Sequence, residues 1–128
     1  MITEAQIQAV VRRIVEGYAP DKIILFGSYA YGVPHENSDL DLLIIKENAE
    51  AERAVAIWPL LWNTSELIPM DILLRTSAEM ERAAGIFQSV ETIAEQQGRL
   101  LYAAWHSNAQ AEASGYVAAN GRPRYGSR

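Results

Sequence analysis

Two aspartates, Asp39 and Asp41, stand one residue apart at the head of the apolar run LLII, and a third, Asp71, interrupts a second apolar run, IPMDILL. In an extended chain residues two apart share a face, so Asp39 and Asp41 present their carboxylates side by side while Leu40 and Leu42 point the other way. Like charges held that close repel. Lodging them against an apolar strand costs on the order of a few kcal/mol unless a positive charge compensates. No Lys or Arg lies between residues 39 and 41, and Lys46 falls beyond the far end of the run. A divalent cation is the economical partner. Hard ions such as Mg²⁺ take oxygen ligands, and they commonly combine one or two carboxylates with the phosphate oxygens of a substrate. With Asp71 as a third carboxylate on a neighbouring strand, a site for two metal ions comes within reach. Plainer readings stay open on these residues alone, with Asp39 and Asp41 as a solvated strand end and Asp71 as a surface residue.

Upstream, Gly27 and Ser28 close another short apolar run, KIILF. A strand that ends in Gly-Ser and enters a helical turn can offer backbone N–H groups and a hydroxyl to phosphate oxygens, because glycine lets the phosphate approach the main chain. By itself the pair is a tight turn. It is not a Walker A loop, since Val33-Pro34 stand after Gly32 where Lys and Ser/Thr are required. His35, in the loop ahead of the aspartates, reads as a solvent-exposed histidine.

These residues need elements to hold them. Ile7, Val10, Val11, Ile14 and Val15 recur at helical spacing, Thr3 with Gln6 makes a capping box, and the helix should end near Gly17. Residues 22–26 read as a buried strand, followed by a turn and a short helical piece. After loop residues 32–37 the spacing predicts a second strand over 39–45 and a third over 68–74. Residues 49–62 have a helical pattern that Pro59 should stop or kink. Trp58 and Trp62, one turn apart, read as packing residues, and Glu50, Glu52 and Arg53 as a solvated face. Ser77 opens a helix running to Ala84, residues 86–97 make a further helix, and LLYA after Gly98 forms a last strand or edge segment. Helices alternate with strands, which places the chain in the α/β or α+β class.

The chain has 128 residues, 49% of them hydrophobic, enough for one domain with one core. Residues 1–105 carry eight basic and fifteen acidic residues, net −7, and read as that domain. From His106 the composition shifts to Ala, Gly, Ser and Asn, and residues 106–128, with three Arg against one Glu, read as a flexible tail whose functional alternative is folding against a partner. The overall charge of −5 lacks the basic footprint of a duplex-binding protein, so nucleic acid is not expected as a direct partner. With no cysteine, disulfides, thiolate catalysis and Cys-ligated metals drop out together. No apolar run approaches the ~20 residues of a membrane-spanning helix, and the N-terminus has no signal-peptide pattern, so a soluble cytoplasmic protein is expected.

Taken together, Gly27-Ser28, ten residues, then Asp39-Leu40-Asp41, with Asp71 on a later strand, resembles the nucleotidyltransferase superfamily that includes DNA polymerase beta and kanamycin nucleotidyltransferase. Within it the chain looks like the minimal nucleotidyltransferases, often the antitoxin half of a pair with a HEPN-domain toxin. The similarity covers about residues 7–102 and leaves the tail aside. It implies a small mixed sheet with helices packed on it. It further implies that Gly27 and Ser28 hold the triphosphate of ATP, that Asp39 and Asp41 bind two Mg²⁺ ions, and that Asp71 completes one metal site and helps activate the acceptor hydroxyl. Ser38 would support the loop or a phosphate. Many relatives carry Arg where this chain has Tyr31, and Lys46 is a candidate substitute for that charge.

Larger relatives that modify small antibiotics add a helical domain to grip the acceptor, for which this chain has no room. The resemblance therefore implies a hetero-oligomer in which AMP passes to a tyrosine hydroxyl of a HEPN toxin. Two alternatives remain: a non-catalytic subunit that neutralises the toxin by binding, and a transferase acting on a small, aminoglycoside-type alcohol.

Overall fold

Helix α1 (Glu4–Tyr18) follows from its sequence almost residue by residue. Ile7, Val10, Val11 and Ile14 form one buried stripe, and Thr3 and Gln6 close the capping box, with Gln6 N–H donating to Thr3 Oγ1 at 3.1 Å and Thr3 N–H to Gln6 Oε1 at 2.7 Å. The helix ends where Ala19 turns left-handed at φ 53°. There Lys46 takes over its terminal carbonyls: Nζ donates to Tyr18 O at 2.6 Å and to Ala19 O at 3.3 Å, and lies 4.5 Å from the centre of the Tyr18 ring.

The computed structural model describes residues 1–47, 57–61 and 68–104. After α1 come β1 (Lys22–Phe26), α2 (Ser28–Tyr31), β2 (Leu40–Ile45), α3 (Trp58–Leu61), β3 (Met70–Arg75), α4 (Ser77–Ala84), α5 (Val90–Gln97) and β4 (Arg99–Ala103). The four strands make one sheet in the order β3-β2-β1-β4. β1 is antiparallel to both of its neighbours, and β2 runs parallel to β3 with Asp41 opposite Asp71. The fold is mixed α+β, as the alternation of helices and strands implies.

Both faces of the sheet are covered, which is why the strands read as nearly continuous apolar runs. On one face Ile23, Leu25, Leu40, Leu42, Ile44, Ile72 and Leu74 pack with the α1 stripe, Ile57 and Leu61. On the other, Ile24, Phe26, Leu43 and Ile45 pack with Met80, Ala94 and Leu100 beneath α4 and α5. Fully burying a Leu or Ile side chain stabilises by about 1.5–3 kcal/mol, so strands built almost wholly of such residues form a firm base for whatever sits at their ends. Gly98 lets α5 turn at once into β4. A Cβ there would run into Ala94 O and come within 2.7 Å of Leu25 O.

Several expectations need correcting. Asp39 lies outside β2, which begins at Leu40, and β3 starts at Met70 rather than at residue 68. The helix expected from residue 86 begins only at Val90, because Ser89 caps it and Gln88 takes a left-handed φ of 55°. Pro59 sits in the first turn of α3, where its missing N–H has no intrahelical acceptor to lose, and the helical pattern that it was expected to stop or kink lies mostly outside the described residues. Trp58 is exposed rather than packed. The rest of the helical pattern over 49–62, Trp62, the Glu50, Glu52 and Arg53 face, and residues 105–128, including the expected tail, lie outside the described residues. Among the described residues no helix is long and apolar enough to cross a membrane.

Candidate active site at one end of the sheet

At the C-terminal end of β1, Gly27 adopts φ 76° and ψ −158°, a conformation that only glycine enters freely. The same position is also crowded. A Cβ on Gly27 would overlap the Asp41 carboxylate, so the glycine serves both the turn and the neighbouring acid. Ser28 then opens α2, whose single turn is closed by Ala30 N–H and Tyr31 N–H donating to Gly27 O at 3.0 and 3.1 Å, and by Gly32 N–H donating to Ser28 O at 3.1 Å. Tyr29 and Ala30 pack against the α1 side of the core, and the Tyr29 hydroxyl accepts from Ile2 N–H at 3.0 Å. That anchorage fixes the turn. Ser28 and Tyr31, three residues apart, share a side of it, and Tyr31 is exposed.

The loop from α2 to β2 is folded on itself by Ser38. Its buried hydroxyl accepts from His35 N–H at 2.9 Å, and its own N–H donates to His35 O at 3.0 Å. Asn37 N–H donates to His35 Nδ1 at 3.1 Å, and the ring is exposed as expected. These bonds let Ser38 support the loop, one of the two roles that the resemblance offered. Just past it Leu40 N–H donates to Pro69 O at 2.9 Å, which starts the parallel ladder and sets the register of β2 against β3.

That register sets Asp41 beside Asp71. Asp41, opposite Phe26 on one side and Asp71 on the other, shares the α4/α5 face of the sheet with Leu43 and Ile45, while Leu40 and Leu42 lie in the opposite core. Asp41 is half-buried, and Asp39 and Asp71 are exposed beside it. The Asp41 carboxyl is pushed above the usual carboxylate range, first by burial, then by the charge of Asp71, then by that of Asp39. Asp39 and Asp71 therefore both act on Asp41 at the mouth next to Gly27.

The donor set fits a hard divalent cation, being carboxylate oxygens in mutual repulsion. It is not a closed cage: among the described residues no three His, Asp or Glu side chains are gathered tightly enough to enclose an ion. Lys46, Arg75 and Arg99 are engaged elsewhere. Lys46 caps α1 at the opposite end of β2, which rules out its substitution for the missing arginine, and Arg75 and Arg99 pair with Glu91 and Glu4 at 2.9 and 2.8 Å. The sequence had pointed to Gly27 for its turn and for the approach of phosphate. Its contact with Asp41 depends on β1 pairing with β2, which no local signal carries.

A sequence profile described as a nucleotidyltransferase domain matches residues 6–101. Among solved structures, the chain resembles a Sulfolobus solfataricus protein described provisionally as a nucleotidyltransferase, at 14% identity and a TM-score of 0.50 over 76% of this chain and 77% of that one. At such identity the likeness concerns the fold. No curated protein sequence matches the chain.

Proposed function

Because this chain belongs to the nucleotidyltransferase domain family, we propose that it transfers AMP from ATP to a hydroxyl on a partner protein, with Asp39, Asp41 and Asp71 as its catalytic carboxylates. The observation that carries the reading is the register of Asp41 with Asp71 beside a glycine whose missing side chain makes room for the Asp41 carboxylate. Asp39, Asp41 and Asp71 would hold two Mg²⁺ ions, which when bound supply charge neutralisation for the triphosphate and lower the pKa of the acceptor hydroxyl.

The protein's own residues do the positioning. Gly27 leaves the main chain open to phosphate oxygens, and Ser28 offers a hydroxyl from the first position of α2. Asp71, exposed on the edge strand β3, would help activate the acceptor hydroxyl. The acceptor oxygen bonds to the α-phosphorus, the bond to the β-phosphate oxygen breaks, and pyrophosphate leaves with the electron pair. The acceptor proton passes to a carboxylate or to water. Catalysis of this kind is mostly placement and charge.

By the resemblance, the acceptor is a tyrosine of a HEPN-domain toxin and the chain acts as its antitoxin. The family match supports nucleotidyl transfer in general, and the specific partner is our proposal. Purified full-length chain, incubated with α-labelled ATP, Mg²⁺ and the protein encoded beside it, should label that protein, and Asp41→Asn should abolish the label. Equal labelling by wild type and Asp41→Asn, or none by either, would remove the enzymatic reading.

A second reading has its own support in the open arrangement of the three acids. In it the chain neutralises its partner by binding alone, and Asp39→Asn with Asp41→Asn would leave protection of the cell intact.

A further inference from the structure

A site that passes AMP to a hydroxyl meets first the hydroxyls of its own chain. Four tyrosines stand among the described residues, and three of them are engaged. Tyr18 lies under Lys46, whose Nζ is 4.5 Å from the ring centre, the Tyr29 hydroxyl accepts from Ile2 N–H at 3.0 Å, and Tyr102 packs against the core. Tyr31 differs. It is 44% exposed, and its hydroxyl makes no hydrogen bond with a described residue.

The backbone of this residue is tied to the carboxylate end. Tyr31 N–H donates to Gly27 O at 3.1 Å, and Gly27 is the residue whose missing side chain makes room for the Asp41 carboxylate. The turn is tightly wound, since a Cβ on Gly32 would come within 2.9 Å of Ser28 Cα, and Tyr29 and Ala30 hold it against the core. A nucleophile fixed beside a site meets it at a far higher effective concentration than one arriving from solution. A second copy is the weaker source of such a hydroxyl, because two chains of net charge −5 repel each other.

We propose that the chain also transfers AMP from ATP to the hydroxyl of its own Tyr31, within one molecule. The inference rests on the transfer reaction proposed for Asp39, Asp41 and Asp71. Tyr31 Oη bonds to the α-phosphorus, the bond from that phosphorus to the β-phosphate oxygen breaks, and pyrophosphate leaves with the electron pair. The phenol proton passes to a carboxylate or to water. The product carries a phosphodiester anion at a mouth that already holds acids, and residues 27–41 contain no Lys or Arg to offset it. Each modified chain therefore binds its next nucleotide less well, and the reaction limits itself.

The test incubates the full-length chain with Mg²⁺ and α-labelled ATP, alone and with the protein encoded beside it, and maps the labelled peptides by mass spectrometry. In the chain alone, label should appear on Tyr31 at a rate per molecule that dilution leaves unchanged, and γ-labelled ATP should leave none. Tyr31→Phe should lose the self-label yet still label the neighbour, whereas Asp41→Asn should lose both. After preincubation with unlabelled ATP and Mg²⁺, wild type should label the neighbour several-fold more slowly than Tyr31→Phe treated alike. Label on the neighbour with none on Tyr31 would overturn this inference and leave the transfer reading standing, and label on neither would overturn both. Label on Tyr116 or Tyr125 in place of Tyr31, or a rate that rises with protein concentration, would also overturn it.

Discussion

The sheet end marked by Lys22, Ile45 and Arg75 spends its charges on the fold, whereas the end marked by Phe26, Asp41 and Asp71 sets like charges against one another. At the first end Lys46 caps α1, Arg75 pairs with Glu91 at 2.9 Å, Glu47 N–H donates to Asp21 Oδ2 at 3.0 Å, and Ser77 N–H donates to Glu47 Oε1 at 3.0 Å. Each contact ties one element to another. At the second end no cation among the described residues is paired with Asp41, whose carboxyl is held above its ordinary range by burial and two acidic neighbours. A fold selected for stability alone would not half-bury Asp41 within reach of the charges of Asp71 and Asp39. The difference teaches where the molecule gives up stability, and such sites are where binding and chemistry concentrate.

Breaking the acidic end should separate activity from stability. Asp41→Asn is expected to reduce nucleotidyl transfer on the order of a hundredfold or more, measured as label transferred per minute. The same variant should melt no lower than wild type in metal-free buffer. The sign follows from linkage: a carboxyl whose pKa is higher in the folded than in the unfolded chain binds its proton more tightly when folded, so stability is lost as pH rises from the ordinary aspartate range through the raised value. Asp41→Asn removes that loss, and urea melts at acidic and neutral pH would read it.

Gly27→Ala breaks the same end through the backbone. A side chain at φ 76° costs about 1–3 kcal/mol, and its Cβ also drives into the Asp41 carboxylate. Denaturant unfolding should register the loss, and transfer activity should fall with it.

The smallest effect belongs to the other end. Arg75→Met, which removes the pair with half-buried Glu91, is expected to destabilise by about 1 kcal/mol or less and to leave divalent-ion affinity unchanged. An ion affinity that moved with Arg75→Met would mean that the two ends are coupled rather than separate.

Much of the scaffold was legible because it is local. The strand KIILF, the Thr3–Gln6 capping box and the helix opening at Ser77 each follow from a period or a cap within a few residues. What escaped depends on pairing or on competition between local signals. The contact of Gly27 with Asp41 exists only once β1 and β2 align, and the match of Asp41 to Asp71 needs a parallel register set by Leu40 N–H and Pro69 O. Ile86 and Phe87 continue a helical-looking pattern, yet the Ser89 cap begins the helix after them and leaves both in solvent. Gly85 four residues before a serine was the available sign of that break.

The central claim is that Asp39, Asp41 and Asp71 share divalent cations. Its most direct test is titration of the full-length chain with Mn²⁺ followed by electron paramagnetic resonance, in the presence of a non-hydrolysable ATP analogue. Ion affinity should fall at least tenfold, by order of magnitude, in both Asp41→Asn and Asp71→Asn relative to wild type. Equal Mn²⁺ affinity in all three proteins would contradict the claim.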